Sequence, residues 1–253
     1  FGIAFDEAPE IYRQAAALPH LQVHGIDCHI GSQLLDDAPL LEALDRLIEL
    51  VDLLGREGIV LQHVDIGGGL GISYQSDQAP VATEAYLQRL FARIDAWRAS
   101  QYGGKPIKIV FEPGRSIVGN IGLLLSTVEF LKPGEGKNFA IVDAAMNDLL
   151  RPALYEAWHA VLPVIQRTGA SVRYDVVGPV CESSDWLAKD RDLVLEQGDT
   201  LAIMSAGAYG MTMASNYNTR PRAAEVMVDG STWQIVRQRE QVADLFALES
   251  ILS

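Results

Sequence analysis

The sequence predicts parallel βα units over residues 1–120, followed by a mostly antiparallel β-domain over residues 121–253. Three observations carry that expectation. Short apolar runs alternate with helical segments of crossover length as far as residue 120. Each run empties into a polar or glycine-rich turn, the end of the strand where parallel sheets and barrels keep their chemistry. Beyond residue 120 the texture changes to short β-prone runs separated by turn signals.

Taken in order, Phe1 to Phe5 reads as a strand entered midway, and Ala8 to Leu18 as a helix with Pro9 in its tolerant first turn. Leu21 to Ile30 reads as a strand, with His24 or His29 inward, running into Gly31-Ser32-Gln33. Apolar residues at Leu40, Leu41, Leu44, Leu47, Ile48, Val51 and Leu54 mark Pro39 to Gly55 as an amphipathic helix closed by Gly55. Ile59 to Ile66 is the next strand. It leads into Gly67-Gly68-Gly69-Leu70-Gly71, where residues lacking a Cβ permit positive φ and let N–H groups cradle an anion such as phosphate. Thr83 to Trp97 is a helix with Thr83 as N-cap, and Ile107 to Phe111 is a strand ending at Glu112-Pro113-Gly114-Arg115. The turns after Ile30, Ile66 and Phe111 should therefore open on one face.

In the second part, strands are expected at Gly122 to Phe130, Asn138 to Asp143, Val172 to Val177, Asp199 to Ser205, Ala223 to Met227 and Trp233 to Arg237. Val228-Asp229-Gly230-Ser231 signals a hairpin. Pro152 to Ile165 reads as a helix, and Val242 to Leu252 as a terminal helix docked on the domain. Four βα strands, counting Phe1 to Phe5, are too few to close a barrel of eight. Either the sheet is open or the first half of a barrel is absent.

Composition excludes several functions. A net charge of −13 argues against a nucleic-acid surface and requires any anionic ligand to be met by local cations. Cys28 and Cys181 make no disulfide scaffold, no spacing suggests a metal site, and reduced thiols fit a cytoplasmic setting. No stretch approaches the roughly 18 apolar residues that span a bilayer.

Six motifs then occur in order: His29-Ile30-Gly31-Ser32-Gln33, Gly67-Gly68-Gly69, Glu112-Pro113-Gly114-Arg115, Cys181-Glu182-Ser183-Ser184-Asp185, Gly207-Ala208-Tyr209-Gly210, and Asn216-Tyr217-Asn218 with Arg220-Pro221-Arg222. Together they resemble the decarboxylases dependent on pyridoxal 5'-phosphate (PLP) that share the alanine-racemase-like barrel, above all the branch acting on meso-diaminopimelate. The resemblance implies the C-terminal portion of a (β/α)8 PLP-binding barrel over 1–120 and a β-rich domain over 121–253. It implies decarboxylation at the D-centre to give L-lysine, with PLP accepting the electrons of the broken bond.

Carried over residue by residue, His29 resembles the histidine stacked on the cofactor. Ser32, Gly67, Gly68, Gly69 and Tyr209 resemble the phosphate holders, within a cofactor site that includes Pro113 and Gly114. Glu112 resembles the acid paired with the pyridine nitrogen, where a carboxylate favours the protonated ring. Arg115 and Arg151 supply the cations for a dicarboxylic substrate, since a guanidinium fork meets a carboxylate through two parallel hydrogen bonds. Tyr155 and Tyr209 assist them. Cys181 resembles the proton donor, since a thiol as a class can pass a proton in either direction, and Glu182 the contact to the distal ammonium. In this family Cys181 and Glu182 reach the cofactor of the other subunit, so a homodimer is implied.

One departure is large. The family's Schiff-base lysine lies near the first barrel strand, and Lys105, Lys108, Lys132, Lys137 and Lys189 all stand in other contexts. The expectation is a chain lacking that lysine and the first half of the barrel, not competent alone. Two other readings stand beside it: a sibling decarboxylase acting on ornithine, arginine or carboxynorspermidine, and a non-catalytic regulatory relative.

Overall fold

The first half of the chain forms the expected helices, α1 (Ala8–Ala17), α2 (Ala38–Arg56) and α3 (Thr83–Ser100). The computed structural model describes residues 2–100 and 107–252, and the chain divides into two units at the Ile117–Val118 bond. Phe1 and Lys105 lie outside the described residues.

In the first unit, α2 buries Leu40, Leu41, Leu44, Leu47, Leu50, Val51 and Leu54, and α3 buries Tyr86, Leu90, Ile94 and Trp97. Each such side chain contributes about 1.5–3 kcal/mol on removal from water. The polar edge of this contact is stitched by Arg89 to Asp37, Arg93 to Asp45 and the Trp97 indole N–H to Asp52. Partners rise together in sequence, so the two helices run the same way, as successive crossovers of parallel βα units must.

Strands β1 (Gly25–Asp27), β2 (His63–Asp65) and β3 (Lys108–Val110) form a parallel sheet in that order. Ile26, Val64 and Ile109 share its central row. The regular ladders are shorter than the apolar runs predicted. Single backbone bonds continue them on both sides, from Gln62 N to His24 O and from Cys28 N to Asp65 O. Gly2–Phe5 is not a strand, which corrects the count of four βα strands to three. One short helix, α4 (Gly114–Val118), follows the Glu112-Pro113 turn.

The second unit holds a six-stranded sheet. Its strands are β4 (Leu124–Lys132), β5 (Asn138–Val142), β6 (Val161–Pro163), β7 (Val172–Val177), β8 (Trp186–Leu193) and β9 (Thr200–Ile203), in the order β6-β9-β4-β5-β7-β8. Every pairing is antiparallel except β5 with β7. β4 pairs with β9 through Leu124–Thr127 and with β5 from Val128 onward, bending at the fully buried Val128. A separate hairpin, β10 (Glu225–Asp229) and β11 (Thr232–Arg237), turns at Gly230 with φ +58° as its sequence signals.

Three expectations are corrected here. The helix predicted over Pro152 to Ile165 is only α5 (Arg151–Tyr155), because Glu156 turns left-handed at φ 52° and the chain continues as edge strand β6. Pro163 suits such an edge, where no ladder donor is needed. The terminal helix shrinks to α6 (Val242–Leu245), with Leu248, Ile251 and Leu252 almost fully exposed rather than docked. Strand β8 went unpredicted. Lys189, Asp190, Arg191 and Asp192 give it a loop's composition, and it lies at a sheet edge where charges keep other strands away.

Helix α2 runs past Gly55 to Arg56, so Gly55 does not close it. A Cβ added there meets nothing within 4 Å. Gly55→Ala should therefore stabilise the protein by about 0.5–1 kcal/mol through helix propensity alone, seen as a higher denaturant midpoint at unchanged slope.

Candidate functional site

The three turns predicted to share one face do so in the first unit, and the glycine turn is what joins them. Gly67 O accepts from Glu112 N at 2.9 Å, and Gly69 O accepts from Leu34 N at 2.9 Å. Gly71 N donates to Leu34 O at 2.8 Å. The Gln33 side chain closes the same junction, donating to Ile72 O at 2.6 Å and accepting from Ile72 N at 3.2 Å.

Close approach explains the glycines. A Cβ would stand 2.4 Å from Cys28 O at Gly67, 2.2 Å from Glu112 O at Gly68 and 2.4 Å from Gly31 O at Gly69. Gly67 and Gly69 also have φ of +67° and +102°. Two of the N–H groups expected to cradle an anion are engaged internally. Gly67 N donates to Asp65 Oδ1 at 2.9 Å, and Gly68 N points at His29 Nδ1 at 3.4 Å.

Around this junction stand the predicted residues. Arg115, from α4, donates to Ser32 Oγ at 3.0 Å and to the Tyr74 hydroxyl. Tyr74 is buried and carried no sequence signal. Asp27, Asp65 and Glu112 bring carboxylate oxygens within 4.8 Å of one another. Asp27 and Asp65 are cross-strand neighbours at the ends of β1 and β2, and Glu112 lies just beyond β3. The Cys28 thiol beside them is pushed above its ordinary pKa by burial first and by Asp27 and Asp65 second.

This donor set fits PLP. A guanidinium with a hydroxyl suits a phosphate, and three gathered carboxylates suit a protonated ring nitrogen or another cation. Pro113 and Gly114 shape the turn between Glu112 and Arg115 and are exposed. Lys108 sits at the opposite, N-terminal end of β3. Lys132 ends β4, Lys137 pairs with Asp175 at 2.6 Å, and Lys189 stacks on Trp186. Among the described residues, no lysine lies at the strand-end turns.

The second unit presents the other candidates. Arg151 opens α5 and is 8% exposed, whereas Tyr155 at the far end of that helix is 62% exposed. His159, fully buried, approaches Arg151 Nη1 through Nε2 at 2.9 Å. Cys181 is exposed, and Glu182 beside it accepts from the Tyr217 hydroxyl at 3.2 Å, a bond that raises the Tyr217 pKa. Buried Asp185 holds this loop, accepting from Val180 N at 2.6 Å and from Met146 N at 2.7 Å. A cavity of about 220 Å³ is lined by Met146, Asn147, Leu150, Ser215 and Tyr217. Tyr209 takes a left-handed φ of 59° between Gly207 and Gly210 and is 43% exposed.

Sequence reasoning missed Tyr74 and His159, and it quoted Asp185 and Tyr217 without assigning them roles. Asp185 was signalled only as the last residue of a motif, and His159 was hidden inside a predicted helix.

Two outcomes follow. Gly68→Ala should cost about 1–3 kcal/mol or more, read as a lowered unfolding midpoint, because the methyl group meets a backbone carbonyl that cannot swing aside. Alkylation of Cys28 by iodoacetamide, followed by peptide mass spectrometry, should lag a free cysteine and accelerate at a higher pH than that cysteine does, since a raised pKa postpones the thiolate.

Residues 1–119 match the pyridoxal-binding domain of the pyridoxal-dependent decarboxylases. Along its whole length the chain is 56% identical to diaminopimelate decarboxylase of Vibrio cholerae, covering 58% of that protein. A solved structure from Aquifex aeolicus superposes with a TM-score of 0.92 at 42% identity, over 99% of this chain and 61% of that one. Diaminopimelate decarboxylase of Helicobacter pylori, solved with L-lysine, gives 0.87 at 40% identity, over 98% and 60%. The chain thus spans about three-fifths of the relatives it matches. Residues 1–119, which carry the cradle, are similar to the pyridoxal-binding domain of the pyridoxal-dependent decarboxylases, and the whole chain is similar to about three-fifths of diaminopimelate decarboxylase.

Proposed function

We propose that the protein to which this chain belongs decarboxylates meso-2,6-diaminopimelate to L-lysine, a step of lysine biosynthesis, with PLP as cofactor. The observation that carries the reading is the strand-end junction at which Arg115 and Ser32 stand beside the Gly67–Gly69 turn with Glu112 bonded across it. The names of the relatives, and the lysine in the Helicobacter pylori structure, support the substrate.

When bound, PLP supplies the electron sink for the carbon–carbon bond that breaks. The chain's own residues then divide the work. Ser32 and Arg115 hold the phosphate, with the Gly69 N–H and the Tyr209 hydroxyl completing the shell, while Gly67 and Gly68 make room for the loops beside them. Pro113 and Gly114 fix the spacing between Arg115 and Glu112. Glu112 keeps a proton on the ring nitrogen, and the His29 imidazole covers a face of the ring. Arg115, Arg151, Tyr155 and Tyr209 bind the substrate, and Glu182 takes its distal ammonium. Cys181 returns a proton to the carbon that has lost its carboxylate. The Tyr217 hydroxyl donates to Glu182 and so orients its carboxylate for an ammonium guest.

Cys181 and Glu182 act in a homodimer, each on the cofactor held by the other copy. The barrel portion is residues 1–120 and the β-domain residues 121–253. The cofactor's covalent anchor is assigned to none of Lys108, Lys132, Lys137 and Lys189. We place the protein in the cytoplasm. Among the described residues no helix is long and apolar enough to cross a membrane.

The test is turnover by the full-length enzyme loaded with PLP on meso-diaminopimelate, L-ornithine and L-arginine. Lysine should form from the first, with the others slower by about a hundred-fold or more, because each leaves a buried charged group without its partner. Preferential turnover of ornithine or arginine would replace this reading by that of a diamine-forming sibling, and no turnover of any would favour a regulatory relative.

A further inference from the structure

His159 is a buried histidine in the second unit to which the activity assigns no task. Its relative exposure is 0%. Nδ1 lies 2.8 Å from Met204 O and Nε2 lies 2.9 Å from Arg151 Nη1. A carbonyl oxygen only accepts and a guanidinium only donates. The two contacts therefore fix one tautomer: Nδ1 carries the proton and gives it to Met204 O, while bare Nε2 accepts from Arg151. A doubly protonated ring would aim a donor at a donor across a dry contact.

The backbone of His159 is anchored as firmly. Its carbonyl accepts from Arg191 Nη2 at 3.3 Å, and that guanidinium stacks over Trp158 with its carbon 3.1 Å from the ring centroid. Burial lowers the Arg191 pKa to about 10, so this neighbour is still a cation at neutral pH. The next residue, Ala160, accepts from Met204 N at 2.8 Å, where β6 joins β9. The imidazole thus bridges the end of β9, from which the chain runs into Gly207-Ala208-Tyr209, and the first residue of α5.

We propose that His159 is the positioning residue that aims the Arg151 guanidinium at the substrate carboxylate and ties α5 to the strand leading to Tyr209. The choice of partner has a physical consequence. A carboxylate in the same place would orient Arg151 and also cancel its charge. A neutral imidazole acceptor orients it and adds no negative charge of its own. This deepens the preceding reading and rests on it, because it takes Arg151 as the carboxylate-binding arginine.

The experiment uses the full-length, PLP-loaded enzyme and two kinds of readout. Long-range 15N–1H NMR of histidine-labelled enzyme, with the His159 resonances identified by their loss in His159→Gln, should show Nδ1 protonated and Nε2 bare. Steady-state kinetics should show His159→Phe raising KM for meso-diaminopimelate about ten-fold or more, with kcat changed less than about three-fold, because an interaction made alike in ground and transition states is lost. His159→Gln, whose amide oxygen can still accept from Arg151, should recover most of that loss.

A protonated Nε2 in the wild-type enzyme overturns the proposal, and this measurement decides even where the phenylalanine variant does not fold. So does an unchanged KM in His159→Phe beside a raised KM in Arg151→Ala. An unchanged KM in Arg151→Ala overturns instead the assignment of that arginine to substrate.

Discussion

Backbone carbonyls packed against the Gly67–Gly69 turn hold the strand ends of the first unit together. The loops after β1 and β3 converge on it, the first offering the carbonyls of Cys28 and Gly31 and the second that of Glu112, where side chains would otherwise stand. That contact places Glu112 N on Gly67 O and Leu34 N on Gly69 O. Arg115 follows Glu112 by three residues and Ser32 precedes Leu34 by two, so their meeting across 3.0 Å depends on the same turn. The glycines serve a ligand indirectly. Their N–H groups are partly spent on Asp65 and His29, and their main contribution is to let loops bearing side-chain donors come close enough to act together.

The second unit solves the same problem with acceptors rather than with missing side chains. Asp185 gathers Val180 N and Met146 N on one carboxylate, which fixes the loop bearing Cys181 and Glu182 against the segment leading to Arg151. Asp143 accepts from Ser126 Oγ at 2.6 Å and from Thr127 N at 2.8 Å, pinning the start of that segment to β4. A buried carboxylate satisfied by such donors is stable and rigid, whereas losing one donor leaves a costly orphan. Rigidity is what an exposed thiol and an exposed acid need if they are to be presented in a fixed geometry.

Much of this was legible in the sequence, for reasons that are local. Helix α2 announced itself through seven apolar positions at helical spacing, of which six are buried and Ile48 is partly so. The convergence of the turns followed from the rule that parallel strands end on one side. What escaped depended on partners distant in sequence. Strand β8 reads as a loop until β7 lies beside it, and Tyr74 becomes a site residue only through Arg115, 41 residues away. His159 lay within a segment of helical composition. The break at Glu156 and the pairing of Val161 with Ile203 are what turn it inward to Met204 and Arg151. The glycine motif was visible, but its main geometric reason, carbonyls 38–44 residues away in either direction, was not.

The arginines sort by the company they keep, and the sorting bears on function. In scaffold positions the guanidinium meets a carboxylate: Arg89 with Asp37, Arg93 with Asp45, Arg167 with Asp199, Arg222 with Glu240. Such pairs fix geometry and cancel charge, which suits a chain already carrying −13. Arg115 bonds two hydroxyls, those of Ser32 and Tyr74, and Arg151 bonds the His159 imidazole. Hydroxyls and a neutral imidazole orient a cation without neutralising it. In a protein with a net charge of −13, hydroxyl and imidazole partners orient these two guanidinium groups without adding negative charge of their own.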